Sequence, residues 1–253
     1  MWISLADIAD NFLVFASLDR EQKHKSLVAF VVERGMEGFT TGTIKGKLGV
    51  RAGNTGEMSF DNVRVPAANR IGEEGEGFKI AMSAIDQGRF TVAAGAVGLT
   101  RAALDASVRY ANERQTFGVP IGKHQLVQQM IANMVAGHEA SELLVYKAAE
   151  LKNRGIRNTK ETSLAKWYAT EAALKAADDA VQIYGSYGFS NDYPVERMLR
   201  NARGSTIYEG TSQLQQILQA EYALGYREDK PLSHPQPPAE GFEQMPTAGV
   251  VDV

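Results

Sequence analysis

The chain has 253 residues, of which 44% are hydrophobic and 23% charged, and its formal net charge is −3. This balance is typical of a globular protein with one large or two small cores, and it does not favour a nucleic-acid partner. There is no cysteine, which excludes disulfides and thiolate chemistry, and the four histidines match no metal-ligand spacing. No apolar run approaches the roughly 20 residues of a membrane span.

Residues 1–66 have the pattern of antiparallel strands. Segments 11–17 and 26–33 are rich in Val, Phe and Leu and are bounded by polar stretches. Segment 58–65 alternates apolar and polar residues and is followed by Pro66, a residue type that interrupts strand pairing. Glycines between these segments favour tight turns over the long connections that parallel strands need. We therefore predict a small β domain.

Downstream of residue 77 the pattern changes to that of helices. Residues 78–113 are rich in alanine, and residues 125–153 carry apolar side chains every three or four positions. Residues 160–184 repeat that signal, and a last helix is predicted over about residues 211–224. The many alanines allow helices to approach closely, which is typical of a bundle.

These patterns predict the layout of the chain. An antiparallel four-helix-bundle-like domain is expected over residues 67–225 and a Pro-rich tail over residues 226–253, so the fold class is mainly α with a small β portion. The tail holds five of the eight prolines and has no periodicity, which favours a mobile or surface position. The nucleotide-binding patterns GxGxxG and GxxxxGK[ST] are both absent, so any dinucleotide is bound by other means.

Residues 182–213 hold the densest group of chemically informative side chains. Pro194 is placed for the first turn of a short helix that carries three arginines. Glu209 then precedes a helix start at which either Thr211 or Ser212 is a fair N-cap. By position alone, Glu209 is either a solvated acid that stabilises the helix dipole or a catalytic carboxylate.

Four long motifs stand out in chain order. They are DNVRVPAANRIGEEGEGFKIAM at 61–82, DQGR at 86–89, RQTFGVPIGKHQ at 114–125 and IYEGTSQ at 207–213. Together they resemble the acyl-CoA dehydrogenase family, and the resemblance extends from residue 2 to about residue 224. It implies an FAD-dependent enzyme that converts an acyl-CoA to a trans-2-enoyl-CoA and passes electrons to electron-transfer flavoprotein. The alternative is a non-catalytic helical oligomerisation module derived from the same fold.

The resemblance implies roles for residues around the YEGT segment. Glu209 matches the base that removes the pro-R α-proton of the thioester, and its backbone N–H matches a donor that polarises the thioester carbonyl. Tyr208 and Gly210 flank the base and are assigned to substrate binding. Asp86 and Arg89 match a pair beside the CoA and acyl path, although their spacing is also that of a helix ion pair.

One branch of the family carries its catalytic glutamate on the long helix instead, at the position of Gly88. Because this position is glycine here and the YEGT acid is present, the sequence follows the commoner arrangement with a single base at Glu209.

The resemblance also implies a set of FAD contacts. The family's tryptophan lies against the flavin ring, and its RxTFG loop reaches the FAD of a neighbouring subunit. Taken singly, each matching residue is also compatible with a cap or a packing role. The set is Trp2, Ser4, Arg114, Thr116, Phe117, Gln125, Gln182, Gly185, Ser186, Thr211 and Gln213. A serine replaces the family's second glycine at Ser186, where a positive φ would cost about 1 kcal/mol.

The family's N-terminal helical domain and the first half of its β domain have no counterpart in the sequence. We therefore expect residues 1–66 to be a partial middle domain, an incomplete antiparallel β domain, and the chain to be a truncated form. The resemblance implies a homo-oligomer, with a tetramer expected, in the bacterial cytoplasm or the mitochondrial matrix, and we see no targeting signal on this chain. We expect no metal site, no nucleic-acid partner and no membrane span.

Overall fold

The computed structural model describes residues 1–230. Residues 231–253, on which most of the predicted Pro-rich tail falls, lie outside the described residues. Contacts between residues divide the chain into two units, Met1–Gln87 and a second unit that begins at Gly88. The boundary falls within the longest helix, which spans Gly77–Glu113.

The first unit contains two small antiparallel sheets. Its strands are β1 (Ile3–Ser4), β2 (Asn11–Ser17), β3 (Leu27–Glu33), β4 (Phe39–Thr43), β5 (Thr55–Phe60) and β6 (Arg70–Ile71). One sheet has the order β1-β5-β4 and the other the order β2-β3-β6. All the pairings are antiparallel, so the predicted antiparallel β portion is confirmed.

Aromatic residues form the core of the first unit. Phe12, Val32 and Phe39 are buried, and the rings of Phe12 and Phe39 meet edge to face with 4.9 Å between centroids. Phe12 and Val32 are paired directly across β2 and β3, so their side chains lie on the same face of this sheet. That face packs against the core.

The strand predicted over residues 58–65 is shorter in the structure. The chain leaves the sheet after Phe60, because Asn62 has a left-handed φ of 50° that a strand does not accommodate. The Asp61 N–H donates to the Gly38 carbonyl at 2.9 Å and closes the turn. The prediction was wrong for the end of this segment, since alternating side chains do not reveal a left-handed residue.

Helices dominate the second unit. The helices are α1 (Gly77–Glu113), α2 (Gln125–Asn153), α3 (Thr159–Tyr184), α4 (Val195–Ser205) and α5 (Ser212–Ala223), and a hairpin of β7 (Gln115–Thr116) and β8 (Val119–Pro120) joins α1 to α2. The predicted helical segments agree with α1, α2, α3 and α5 to within one residue at each end. The predicted fold class, mainly α with a small β portion, is confirmed.

Alanines form much of the core between helices. Ala165, Ala169 and Ala173 recur every four residues along α3 and are fully buried, and Ala93 on α1 is buried in the same cluster. An alanine side chain is one methyl group, so helix axes approach closely where alanines meet. Short polar side chains on neighbouring helices can then reach each other.

The apolar positions of α2 are not all buried. Met134 packs in a second cluster with Ile183 of α3 and Val195 of α4. Leu126 and Val135, which the periodicity assigns to the same broad stripe, are exposed. The single chain therefore leaves part of an apolar helix face uncovered.

Within residues 1–230, no helix is both long and apolar enough to cross a membrane. In the same range, no group of three or more His, Asp or Glu side chains is arranged to hold a metal ion.

Replacing Ala173 with leucine tests the alanine core. The larger side chain overpacks the contact of α3 with α1, and we expect the free energy of unfolding to fall by about 1–3 kcal/mol. Urea unfolding followed by circular dichroism measures the change. The control is Ala94→Leu at an exposed position of α1, where we expect a change below about 0.5 kcal/mol. Equal effects of the two substitutions would contradict this core.

Candidate active site

Glu209 lies in the short turn between α4 and α5. Its φ is 56° and that of Gly210 is 85°, so two consecutive residues are left-handed. This conformation costs glutamate about 1–2 kcal/mol, whereas glycine adopts it freely. Thr211 then caps α5, and its Oγ1 accepts from the Leu214 N–H at 3.3 Å. A strained residue of this kind persists only where its surroundings hold it.

Buried donors from three helices hold the carbonyls of this turn. The Glu209 carbonyl accepts from Arg89 Nε at 3.3 Å and from Gln215 Nε2 at 3.1 Å. The Gly210 carbonyl accepts from the same Gln215 amide at 3.2 Å and from Lys166 Nζ at 2.8 Å. Arg89, Lys166 and Gln215 belong to α1, α3 and α5, and all three are buried. These hydrogen bonds offset the strain at Glu209.

Further hydrogen bonds fix the donors themselves. Ser163 Oγ donates to Gln215 Oε1 at 2.7 Å, which turns the amide nitrogen toward the turn. Ser212 Oγ, at the start of α5, donates to the Glu171 carboxylate on α3. The Ser212 N–H donates to the Thr206 carbonyl at 3.0 Å. Ser212 and Gln215 stand at the two ends of the first helical turn of α5. Through them, the Glu209–Gly210 turn is tied to α3.

Gly88 leaves room for the Glu209 carboxylate. A Cβ at residue 88 would lie 2.5 Å from Oε2 and 2.9 Å from Oε1 of Glu209. At Gly210 a Cβ would lie 2.6 Å from Nε2 of Gln215, the amide that holds the turn. Any larger side chain at either glycine therefore displaces a group of the site.

Glu209 offers two reactive groups from one residue. Its carboxylate is half-buried above the bare backbone of α1 at Gly88. Within residues 1–230, no hydrogen bond uses the Glu209 N–H as its donor. A proton acceptor and a hydrogen-bond donor are thus available at the same turn. The donor can polarise a substrate carbonyl, and the carboxylate can remove a proton from the adjacent carbon.

Charge is concentrated beneath the turn. Burial, and then the nearby Arg89 guanidinium, lower the pKa of Lys166 from 10.5 to about 8, while the Glu171 and Glu209 carboxylates act in the opposite direction. Desolvation also raises the pKa of the Tyr208 hydroxyl, next to the base. Two cations, Lys166 and Arg89, and two carboxylates, Glu171 and Glu209, therefore lie in one partly buried cluster.

Sequence reasoning missed Lys166, Gln215 and Ser163. A signal for the lysine was present: Thr162, Lys166 and Thr170 recur every four residues on α3, next to the buried alanine row. A charged residue on the buried face of a helix is rare unless it is paired, so this spacing marks Lys166 for attention. No comparable local pattern points to Gln215 or Ser163.

Comparison with known proteins identifies the family. Residues 75–224 match the sequence model of the acyl-CoA dehydrogenase C-terminal domain, and residues 1–63 match that of the acyl-CoA dehydrogenase middle domain. The chain belongs to the acyl-CoA dehydrogenase family. The resemblance of the four motifs is thereby confirmed.

Individual acyl-CoA dehydrogenases are similar to most of the chain. An acyl-CoA dehydrogenase of Bacillus subtilis is 46% identical over 225 residues, which cover 89% of this chain and 59% of that protein. A short-chain specific acyl-CoA dehydrogenase of Clostridium acetobutylicum is 42% identical over 86% of this chain and 58% of its own length. The structure of butyryl-CoA dehydrogenase from Megasphaera elsdenii superposes with a TM-score of 0.86 at 41% identity, covering 88% of this chain and 58% of that one. The chain thus spans less than two thirds of the length of these acyl-CoA dehydrogenases.

The residues predicted to contact FAD lie in several places. Trp2 and Ser4 belong to the first unit, where Trp2 is exposed with a left-handed φ of 62° and Ser4 pairs with Thr55. In the second unit the structure presents three groups. Arg114, Thr116 and Phe117 lie at the β7–β8 hairpin, with Gln125 at the start of α2; Gln182, Gly185 and Ser186 lie at the end of α3; Thr211 and Gln213 lie at the start of α5. The last group directly follows the Glu209–Gly210 turn in the chain.

The strain considered for Ser186 does not arise. The left-handed residue in this turn is Gly185, with φ of 61°, and Ser186 has a negative φ within the short 3-10 helix that follows. Glycine is needed only at the first position, so serine at the second is accommodated without a conformational penalty.

A comparison of two glycines on α1 tests the Gly88 contact. At Gly95, where a Cβ meets no atom within 4 Å, substitution by alanine should raise the free energy of unfolding by about 0.5–1 kcal/mol. We expect Gly88→Ala to fall short of this gain by at least about 0.5 kcal/mol, because the Glu209 carboxylate must move. Thermal unfolding measures both variants. In a Glu209→Ala background the two glycine substitutions should become equal, and a persistent difference would contradict the contact.

The stability of the chain should depend on pH through Lys166. Because its folded-state pKa of about 8 lies below 10.5, the unfolded chain binds more protons between these values. The penalty of burying the charge is complete below pH 8 and fades as pH rises. Between about pH 7 and pH 10, wild type should gain on the order of 2 kcal/mol of unfolding free energy relative to Lys166→Met. Urea unfolding measures this, and the exposed Lys160→Met on the same helix should show no such relative change.

Proposed function

We propose that this chain carries the catalytic base of an FAD-dependent acyl-CoA dehydrogenase. The observation that carries the proposal is the Glu209 turn, where a strained glutamate is held by buried donors and its carboxylate occupies the space left by Gly88. Structural strain of this kind is retained where a group must keep one orientation for its chemistry.

The proposed reaction is α,β-dehydrogenation of an acyl-CoA thioester. The Glu209 carboxylate takes the α-proton, and the developing negative charge on the thioester carbonyl is stabilised by the Glu209 N–H. Bound FAD would supply the acceptor for the β-hydrogen, which leaves with its electron pair. The carbon–carbon double bond of the trans-2-enoyl-CoA forms as both hydrogens leave. Because one residue supplies the base and the donor, the fixed backbone of the turn sets both against the substrate.

The exposed residues of the second unit fit FAD. Arg114 and Phe117 are exposed on the hairpin, and Phe117 is 96% exposed with a left-handed φ of 54°. A planar guanidinium that can donate twice suits a pyrophosphate, and an exposed ring suits an aromatic ligand face. At the end of α3, Gln182 is exposed and the space around Gly185 is open to a ligand. We propose that these residues, with Thr211, Gln213, Trp2 and Ser4, hold the cofactor.

Substrate and electron acceptor follow from the same proposal. The Clostridium acetobutylicum and Megasphaera elsdenii proteins are named for short-chain and butyryl substrates, so short acyl-CoA thioesters are the first class to test. Tyr208, Gly210, Asp86 and Arg89 are proposed to line the substrate path. Electrons pass to an electron-transfer flavoprotein, and the site of action is the bacterial cytoplasm or the mitochondrial matrix.

Assembly into a homo-oligomer, with a tetramer expected, is part of the proposal. The exposed apolar side chains of α2 support it, since Leu126, Leu143 and Tyr146 are each more than 60% exposed in the single chain. Large apolar side chains left exposed along one helix are candidates for burial against another subunit. The 96% exposure of Phe117 on the β7–β8 hairpin supports our proposal that this hairpin contacts the FAD of a neighbouring subunit.

Glu209→Gln tests the assignment of the base. The protein to use is this chain completed with the part of the Bacillus subtilis relative that has no counterpart in it. The amide keeps the shape of the side chain but cannot accept the proton, so we expect kcat with butyryl-CoA to fall by about 100- to 10,000-fold. Dye reduction measures turnover, and flavin absorbance measures cofactor content.

Gln213→Asn is the matched control for an exposed amide near the turn, and it should retain kcat while weakening FAD binding. A Glu209→Gln variant with more than about a tenth of wild-type kcat would refute the role of Glu209. A completed protein that neither binds flavin nor turns over any acyl-CoA would favour the non-catalytic oligomerisation module.

A further inference from the structure

Lys166 has no part in the chemical steps above, yet its environment is unusual. It is fully buried in the first third of α3, and its ammonium ends 2.8 Å from the Gly210 carbonyl. Burying a cation is unfavourable unless acceptors and opposite charges surround it. A methionine would fill the same space without that penalty. The presence of a lysine therefore indicates a role that depends on its charge.

The groups that face Lys166 come from each element packed around it. Arg89 on α1 repels the ammonium, whereas Glu171 on α3 and Glu209 in the turn attract it. The neighbour on α5 is the neutral amide of Gln215, which donates to the same carbonyl at 3.2 Å. Among residues 1–230, no ion pair joins Nζ to either carboxylate, and the hydrogen bond of the ammonium goes to the Gly210 carbonyl of the turn at 2.8 Å.

We propose that Lys166 is a positioning residue for the base: its buried ammonium fixes the Gly210 carbonyl, keeps the Glu209–Gly210 turn left-handed and so holds the Glu209 carboxylate and N–H in their working orientation. This inference rests on the proposed function of Glu209. Glycine at residue 210 has the largest conformational freedom of any residue type. The ammonium removes that freedom at the peptide immediately after the base.

The charge makes this bond stronger than the neutral amide of Gln215 can provide. Hydrogen bonds from an ammonium are about twice as strong as those between neutral groups. Among residues 1–230, the Gly210 carbonyl without Lys166 keeps only the Gln215 amide, which it shares with the Glu209 carbonyl. The turn then samples other orientations, and the fraction of molecules with a correctly placed base falls. The effect belongs in kcat rather than in KM, since substrate contacts are unchanged.

The first experiment uses the chain as it is and needs neither flavin nor substrate. Nuclear magnetic resonance of isotopically labelled protein reports the backbone shifts of Glu209 and Gly210 and the titration of the Lys166 side chain. In Lys166→Met we expect large shift changes at both turn residues, and in the control Lys160→Met we expect none. In Glu209→Gln the Lys166 pKa should fall below its wild-type value of about 8, because an attracting carboxylate is removed.

A merely structural lysine gives a different result. Its substitution by methionine would leave the Gly210 shifts unchanged, and its titration would not respond to Glu209→Gln. Either outcome overturns the proposal. The titration uses wild-type protein and Glu209→Gln only, so it decides the matter even if Lys166→Met fails to fold.

The second experiment uses the completed enzyme described above. We expect Lys166→Met to lower kcat by about 10- to 100-fold with little change in KM, and wild-type kcat to decline above about pH 8 with a limb that the variant lacks. Wild-type kcat in Lys166→Met overturns the positioning role. Activity that survives Glu209→Gln overturns the proposed function instead, so the two failures are distinguishable.

Discussion

A left-handed glutamate is stable only while its neighbours prevent it from relaxing, and this requirement organises the helices around Glu209. The donors to its turn come from α1, α3 and α5, which are separated widely along the chain. A helix rotates about 100° per residue, so a shift of one residue along α3 would turn Lys166 away from the Gly210 carbonyl. The register of three helices is therefore coupled to the geometry of one turn.

The alanine core makes this coupling possible. Bulky residues between α1 and α3 would hold the helices apart and move Arg89 and Lys166 away from the turn that they share. Fully buried methyl groups at Ala165, Ala169 and Ala173 let the backbones approach closely instead. On the side of α3 that faces α5, Ser163 orients Gln215 through a hydrogen bond of 2.7 Å. The packing of the alanines thus keeps Arg89 and Lys166 within hydrogen-bond distance of the Glu209–Gly210 turn.

The sequence predicted those features that local patterns determine. Periodicity and capping residues located α1, α2, α3 and α5 because helix stability depends on neighbours three and four positions away. The end of β5 was missed because it depends on a left-handed Asn62, which side-chain alternation does not encode. The role of Glu209 came from family resemblance, since position alone favoured a solvated acid near a helix start. Lys166 was missed because its acceptor lies 44 residues further along the chain.

The tight contact between Gly88 and Glu209 also bears on how the site evolves. A Cβ at residue 88 overlaps the Glu209 carboxylate in its present position, so a larger residue 88 requires that carboxylate to move. A lineage that moves its acid from the turn to α1 therefore displaces the first carboxylate unless residue 209 is shortened first. Shortening residue 209 first avoids the displacement, but the intermediate with a small residue at both positions has no base. Each order of substitution thus passes through an intermediate whose base is displaced or absent.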